Sequence, residues 1–356
     1  MNLIPQRSSL VAQTVLILKD GIRAGLWNGF LPGEMALCHR LQVSRVTLRA
    51  ALEQLQREHW CSAGQGRRRK IHFDRARHTG PSASDRVVLL SPLPLQNLPA
   101  SALFWVDALR EHLATVGYRL EFQHAPSVYS QHPERALESV VHKSRAASWV
   151  LYLSTHALQQ WFSERGLPCV ICGSRHADVQ LSSVDIDYAA TCGHATGLLV
   201  GRGRRRLALL MPRSEQAGNI ESEQGFLKAV ERHPGVKGQV AHHDGTTTGI
   251  CGALDRLLRG EWAINGLLVA KPAHVVTAVS HLLRRGVRLP QDVSLLSRDD
   301  DPLLEHLVPV VSRYHVEPEA FARRVSRLVV DLARTGAQRQ HDSRIIPSLI
   351  RGETLG

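Results

Sequence analysis

No run of about 18 apolar residues occurs in the chain, so no segment has the length of a membrane-spanning helix. The opening residues MNLIPQRSSL lack a basic stretch followed by an apolar one, and a cytoplasmic chain is the expectation. Cysteine is sparse and scattered, at 38, 61, 169, 172, 192 and 251, which reads as small buried hydrophobes and not as a disulfide framework. Cys169 and Cys172 do make a Cys-x-x-Cys, but they lie in the strand-like LPCVICG, where residues three apart point to opposite faces. With no second pair at zinc-site spacing, no metal is expected. The phosphate loop G-x-x-x-x-G-K-[ST], H-E-x-x-H and G-x-S-x-G are all absent, and neither Gly64-x-Gly66 nor Gly201-x-Gly203 completes G-x-G-x-x-G after a strand. His242-His243-Asp244, the one tight histidine group, reads as a strand end. Neither a catalytic residue nor a cofactor follows, and an enzyme is not expected.

What the chain does have is core-building material. Of its 356 residues 43% are hydrophobic and 21% charged, which is a folded composition, and the length suits one small domain plus one large one. The formal net charge is +12 and is unevenly spread. Residues 1–85 hold 13 Lys/Arg and six Asp/Glu, a net +7, against +5 in the remaining 271 residues. A small basic domain on a nearly neutral large one points to a polyanion such as DNA, with solubility as the plainer alternative.

Along the first segment, Leu10, Val11, Val15, Leu18 and Ile22 keep to one face at helical spacing over 9–25, and Gly25 ends the pattern. A second short helix is predicted from Glu34 to Leu41. Ser44 is placed to cap a third, from Arg45 to about Glu58, with Leu48, Leu52 and Leu55 as its buried stripe. Only Gln42-Val43-Ser44 joins the second and third helices, a turn short enough to hold them at a steep fixed angle and let the third project. Arg45 and Arg49 lie one turn apart off the leucine stripe, and Thr47 lies in the same first turn. Forked guanidinium donors suit guanine edges or phosphates. Gly64-Gln65-Gly66 followed by Arg67-Arg68-Arg69-Lys70 reads as a basic hairpin whose glycines allow close backbone approach to a groove.

The polar DRARHTGPSASD at 74–85 reads as a linker. It divides a DNA-binding domain at 1–73 from a large domain at 86–356. In the latter, apolar strand candidates (Val87–Leu90, Arg119–Phe122, Trp149–Leu153, Cys169–Cys172, Leu207–Met211, Gly238–Ala241, Gly266–Ala270 and Val293–Leu296) alternate with amphipathic helices such as Ala102–Val116. That order predicts an α/β fold with parallel sheets, and about 270 residues of it predict two lobes.

With these motifs in place, Leu16–Lys70 resembles the winged helix-turn-helix of the GntR family of bacterial regulators. The resemblance rests on I-x-x-G at Ile22–Gly25, LPxE at Leu31–Glu34, the L-x-V-S-R-x-T-L-R-x-A-L-x-x-L run at Leu41–Leu55, and the wing glycines Gly64 and Gly66. It implies DNA contact by Ser44, Arg45, Thr47, Arg49 and the wing at Gly66, Arg67 and Arg68. The chain departs at Gly33, where the family usually has Ser, and its wing is more basic than usual.

The large domain resembles the LacI/periplasmic-sugar-binding type, a pairing known in arabinose-repressor-like members of the GntR group. Gly117-Tyr118, Val184–Asp187, Gly203–Ala208, Gly225–Ala229, Gly286–Leu295 and Ile346–Thr354 carry it by their order and spacing. It implies two Rossmann-like lobes with a ligand cleft between them. Of the polar groups expected there, an arginine is replaced by Ser222 and an Asn-Asp pair by Lys271-Pro272, while Asp299 is retained. Ser222, Lys271 and Asp299 are therefore the candidate effector contacts, with Lys271 facing Asp299 across the cleft. They stand either for an altered, charged ligand or for a pocket that binds nothing. The resulting expectation is a homodimeric repressor on a palindromic double-stranded DNA operator, modulated by a sugar-like or other small effector. The alternative is a ligand-independent dimeric regulator with a degenerate pocket.

Overall fold

Helix α1 (Leu10–Arg23) sets Val15, Leu18 and Ile22 on one buried stripe, and α3 (Arg45–Arg57) answers with Leu48, Ala51, Leu52 and Leu55. Between them α2 (Glu34–Leu41) adds Leu37, and Leu31 and Cys61 close this small core. Strands β1 (Cys61–Gly64) and β2 (Arg67–Ile71) pair antiparallel. The 29–31 segment lies along the outer edge of β2, where Leu31 N–H donates to Arg69 O and Ile71 N–H to Gly29 O, each at 2.9 Å. Three helices and a small hairpin make the expected winged helix-turn-helix.

The structure is a computed structural model that describes residues 10–23, 27, 29–57, 60–64, 67–71, 84–336 and 340–356. Its contacts divide the chain into two units, Met1–Ala83 and Ser84–Gly356. Gly25, Gly66 and residues 74–83 of the expected linker lie outside the described residues.

The second unit begins with β3 (Arg86–Ser91), α4 (Ala100–Thr115), β4 (Arg119–His124), α5 (Glu134–Ser144), β5 (Ser148–Tyr152), α6 (His156–Glu164), β6 (Cys169–Cys172) and β7 (Ser182–Ile186). A second series follows: α7 (Tyr188–Gly201), β8 (Arg206–Pro212), α8 (Ala217–Glu231), β9 (Lys237–His243), α9 (Thr247–Leu257), β10 (Gly266–Val269), α10 (Pro272–Arg284), β11 (Ser294–Ser297) and β12 (Ser312–His315). The chain then returns with α11 (Pro318–Thr335), β13 (Asp342–Ile345) and β14 (Ser348–Ile350). Two six-stranded sheets result, ordered β13-β7-β6-β5-β3-β4 and β14-β12-β11-β10-β8-β9. Every pairing in them is parallel except that of β14 with β12.

Helices cover both faces of each sheet, which is why the central strands β3, β5, β6, β8 and β10 read as nearly unbroken apolar runs. Val87 and Leu89 face a core shared with α4 and α11, while Val88 and Leu90 face one shared with α5 and α6. Cys169 and Cys172 divide between the same two cores, as their spacing along a strand requires. The chain passes between the lobes three times: after Ile186, between His315 and Pro318, and between Ile345 and Ser348. In each sheet the strand order reverses beside the first strand, at β3/β5 and at β8/β10. Open α/β sheets hold ligands just beyond the strand ends at such a reversal.

Candidate functional site

In the small unit, Ser44 caps α3: its Oγ accepts from Thr47 N–H at 3.2 Å and lies 2.9 Å from Thr47 Oγ1. The preceding turn is held by Gln42 in the left-handed region, φ 53 and ψ 40, whose side-chain amide donates to His39 O at 2.8 Å. Thr47 is thus half-buried and tied to the cap, while Ser44, Arg45 and Arg49 are exposed. Val46, between them, is 80% exposed, an apolar side chain suited to a thymine methyl.

Arg49 is exposed but engaged. Its Nε donates to Glu34 Oε2 at 3.0 Å, and Arg69 of β2 reaches the other carboxylate oxygen at 3.6 Å. Arg69 also donates to Gln56 Oε1 at 3.3 Å. The Arg49 hydrogen bond holds the Glu34 carboxyl below the usual range. One carboxylate therefore engages both an arginine of α3 and one of β2. Arg67 and Arg68 lie on β2, and Gly66 lies outside the described residues.

In the large unit, a cavity of about 660 Å³ opens between the lobes at the strand ends. The first lobe supplies a largely apolar wall of Leu98, Ala102, Phe104, Trp105 and Tyr152, joined by Phe321 of α11. Trp105 anchors this wall, with Tyr152 edge-on at 5.6 Å and Phe321 at 5.3 Å. From the second lobe come Asn219, Lys271, His274, Arg298 and Asp299.

Two sequence expectations change here. Ser222 does not line the cavity; it is fully buried on α8, its hydroxyl donating to Gly218 O (2.7 Å) and accepting from Arg298 Nη1 (2.8 Å). Lys271 and Asp299 do not face each other across the cleft, because both project from the second lobe, after the neighbouring strands β10 and β11. The Asp299 carboxylate is instead occupied by Arg298, at 3.0 and 2.8 Å.

Arg298, 1% exposed, is the residue the sequence reading passed over. Its guanidinium lies over the Tyr188 ring at 4.2 Å and also donates to Asn219 Oδ1 at 3.2 Å. Burial works against its charge, yet Asp299 beside it wins and raises the guanidinium above its usual range. An arginine thus stands beside position 222 after all, arriving directly after β11 and donating to the Ser222 hydroxyl at 2.8 Å. The signal was an arginine directly after the apolar strand run, beside the retained aspartate.

Asp185, at the end of β7, is the other buried charge-bearing group on the cavity wall. It accepts from Ser174 Oγ at 2.6 Å and Ile186 N–H at 2.7 Å, yet burial pushes its carboxyl up to about 7. Ser174 also lies 3.0 Å from Glu221 of α8, and Arg344 of β13 grips both oxygens of Glu221 at 2.7 and 2.9 Å. This ion pair ties the lobes together. Gly218 permits the close approach, since a Cβ there would sit 2.9 Å from the Tyr188 ring and 3.0 Å from Ser174 Oγ. Among the described residues no group of three His, Cys, Asp or Glu side chains is arranged to hold a metal, and no helix is long and apolar enough to cross a membrane.

Comparison with known proteins places both units. Residues 10–71 match the profile of bacterial regulatory proteins of the gntR family, and residues 196–355 match a periplasmic binding protein-like domain. Among curated proteins, the chain is 30% identical over 191 residues to the HTH-type transcriptional regulator CelR of Thermobifida fusca, covering 51% of this chain and 56% of that one. It is 25% identical over 183 residues to the HTH-type transcriptional regulator GntR of Pseudomonas aeruginosa, covering 50% and 52%. The chain spans about half the length of the curated relatives it matches. Among solved structures, a CelR–cellobiose complex superposes with a TM-score of 0.67 at 21% identity, over 98% of this chain and 99% of that one. CcpA of Lactococcus lactis gives 0.66 at 16% identity, over 76% and 99%. Residues 10–71 are thus similar to gntR-family bacterial regulatory proteins and residues 196–355 to a periplasmic binding protein-like domain, and the large unit shares the two-lobed fold of the solved regulators.

Proposed function

We propose that the chain is a DNA-binding transcriptional regulator, a non-enzyme, whose affinity for its operator is set by a small molecule held between the lobes. The observation that carries this reading is the capped N-terminus of α3. There a side-chain cap and an uninterrupted leucine stripe hold the helix rigid, while Arg45, Val46 and Arg49 stay exposed. Named roles follow for Ser44, Arg45, Thr47 and Arg49 at base edges or phosphates, and for Gly66, Arg67 and Arg68 on the backbone. On this reading, residues 1–73 form the DNA-binding domain, 74–85 a linker, and 86–356 the effector and dimerisation domain. A homodimer would read half-sites about 34 Å apart on a palindrome.

The roomy cavity and the cross-lobe pair of Glu221 with Arg344 favour an effector over a degenerate pocket. CelR in complex with cellobiose supports a small-molecule effector in this chain as well. A ligand preferring one lobe arrangement would couple to DNA affinity by about 1–3 kcal/mol. The test is fluorescence anisotropy of the full chain on DNA selected from a random duplex pool, across a salt series. Specific binding whose logarithm falls linearly with log salt is expected. Indifference to duplex DNA at low salt overturns the reading.

A further inference from the structure

Of the two Lys/Arg side chains that line the cavity, Arg298 and Lys271, only the first is paired, although Asp185, Asp299, Asp300 and Asp301 line it too and Asp301 accepts from the Leu303 amide at 3.0 Å. Arg298 is committed to Asp299 through two hydrogen bonds. Asp300 is committed to Arg313 at 2.5 Å and to His315 at 2.6 Å. Asp185 is hydrogen-bonded to Ser174 and the Ile186 amide. Lys271 lines the same wall, and its ammonium makes no hydrogen bond or ion pair among the described residues. Burial lowers that ammonium from the usual lysine range; Asp299 and Asp185 pull it back up, against Arg298, without touching it. Beside it, His274 Nδ1 is buried with no hydrogen-bond partner among the described residues.

The surrounding backbone adds to the positive potential. Lys271 is the N-cap of α10, and α8 also begins on the cavity wall at Ala217. Neither helix has a side-chain cap or an acidic residue in its first turn. Two uncapped helix N-termini beside an unpaired ammonium favour negative charge. The opposite wall is largely apolar, built from Phe104, Trp105, Tyr152 and Phe321, and its one buried carboxyl, Asp185, is held by Ser174 and the Ile186 amide.

We propose that the cavity takes a small organic anion, one carboxylate or phosphate on a body with a flat apolar face, its anionic oxygens on Lys271 and the α8 and α10 N-termini and its body against Trp105. The inference rests on the reading of the cavity as an effector site and specifies the ligand class. A neutral ligand would shut the ammonium away from water without a partner, which costs free energy that an anion recovers.

The experiment is calorimetric titration of the full chain with matched pairs: benzoate and phenyl phosphate against benzamide, and gluconate and glucose 6-phosphate against glucose, with cellobiose alongside. At least one anion is expected to bind about tenfold or more tightly than its neutral counterpart. Lys271→Met should erase that preference and Lys271→Arg should keep it, with urea midpoints confirming that both variants fold. Benzoate against phenyl phosphate, and gluconate against glucose 6-phosphate, separate a carboxylate from a phosphate. Equal binding of neutral members, or an anion preference that survives Lys271→Met, overturns the anion assignment and leaves the effector reading standing. No response to any anionic probe also overturns it. Anisotropy on duplex DNA in the same preparations shows whether the regulator reading has failed as well.

Discussion

Arg49 and Arg298 carry the same guanidinium in opposite settings. Arg49 has 60% of its side chain in water and leans on a single carboxylate, Glu34. Arg298 has 1% in water and fills its donors with Asp299, Asn219 and Ser222 while stacking on Tyr188. Water already solvates the first, so it is free to exchange Glu34 for a phosphate or a guanine at little cost. The second has no solvent to fall back on and is fixed by its partners. The comparison teaches that an exposed arginine is available for an outside partner, whereas a buried one is part of the wall that shapes the site.

The sharpest way to break that comparison is to remove the buried arginine. Arg298→Leu strands Asp299 and leaves Asn219 and Ser222 short of a donor, and it should cost about 3–5 kcal/mol in urea unfolding. A loss below about 1 kcal/mol would mean that water already reaches the cluster. Next comes the other buried charge. Because the folded carboxyl of Asp185 titrates near 7, above its unfolded value, the folded state holds a proton that the unfolded state releases. The contribution of Asp185 to stability is therefore greatest below about pH 4 and falls as pH rises to about 7. Asp185→Asn should remove this slope and stabilise the protein above pH 7 by of order 3 kcal/mol, read from urea midpoints against pH.

On the exposed side, Arg49→Ala should shift unfolding by less than about 0.5 kcal/mol. The same variant should weaken specific operator binding by about 1–3 kcal/mol, measured by anisotropy with random duplex as reference. Unchanged specific binding would remove α3 from the groove. The cap comes last. Ser44→Ala gives up the Thr47 amide bond and should cost about 1 kcal/mol of stability in the same urea assay.

The two settings also differ in how openly the sequence displayed them. Around Arg49 the signals are local. The stripe of Leu48, Leu52 and Leu55 repeats within one helix, and Ser44 caps it across three residues, so spacing alone located the exposed face. The cavity was harder to read because its partners are distant. Strands β7 and β12 carry no apolar run, since SSVDI and SRYH bury Ser183, Asp185, Ser312 and Arg313 in polar contacts. Ser183 bonds Asp342 across 159 positions and Ser312 bonds Gly352 across 40, distances at which periodicity carries no signal. Ser222 read as a missing contact for the same reason, because the arginine beside it arrives from 76 positions away.

By itself, then, the sequence settled the three-helix unit with its capped third helix, the alternation that builds parallel sheets, and the concentration of positive charge near the start. All of these follow from neighbours a few residues apart and from the periods of helix and strand. Tertiary structure alone decided which lobe carries Lys271 and Asp299, that Arg298 takes Asp299 and leaves Lys271 unpaired, and that Glu221 with Arg344 ties the lobes. Whether a charge is spent or available depends on what lies within hydrogen-bond reach after folding, and the linear order of residues does not contain those distances.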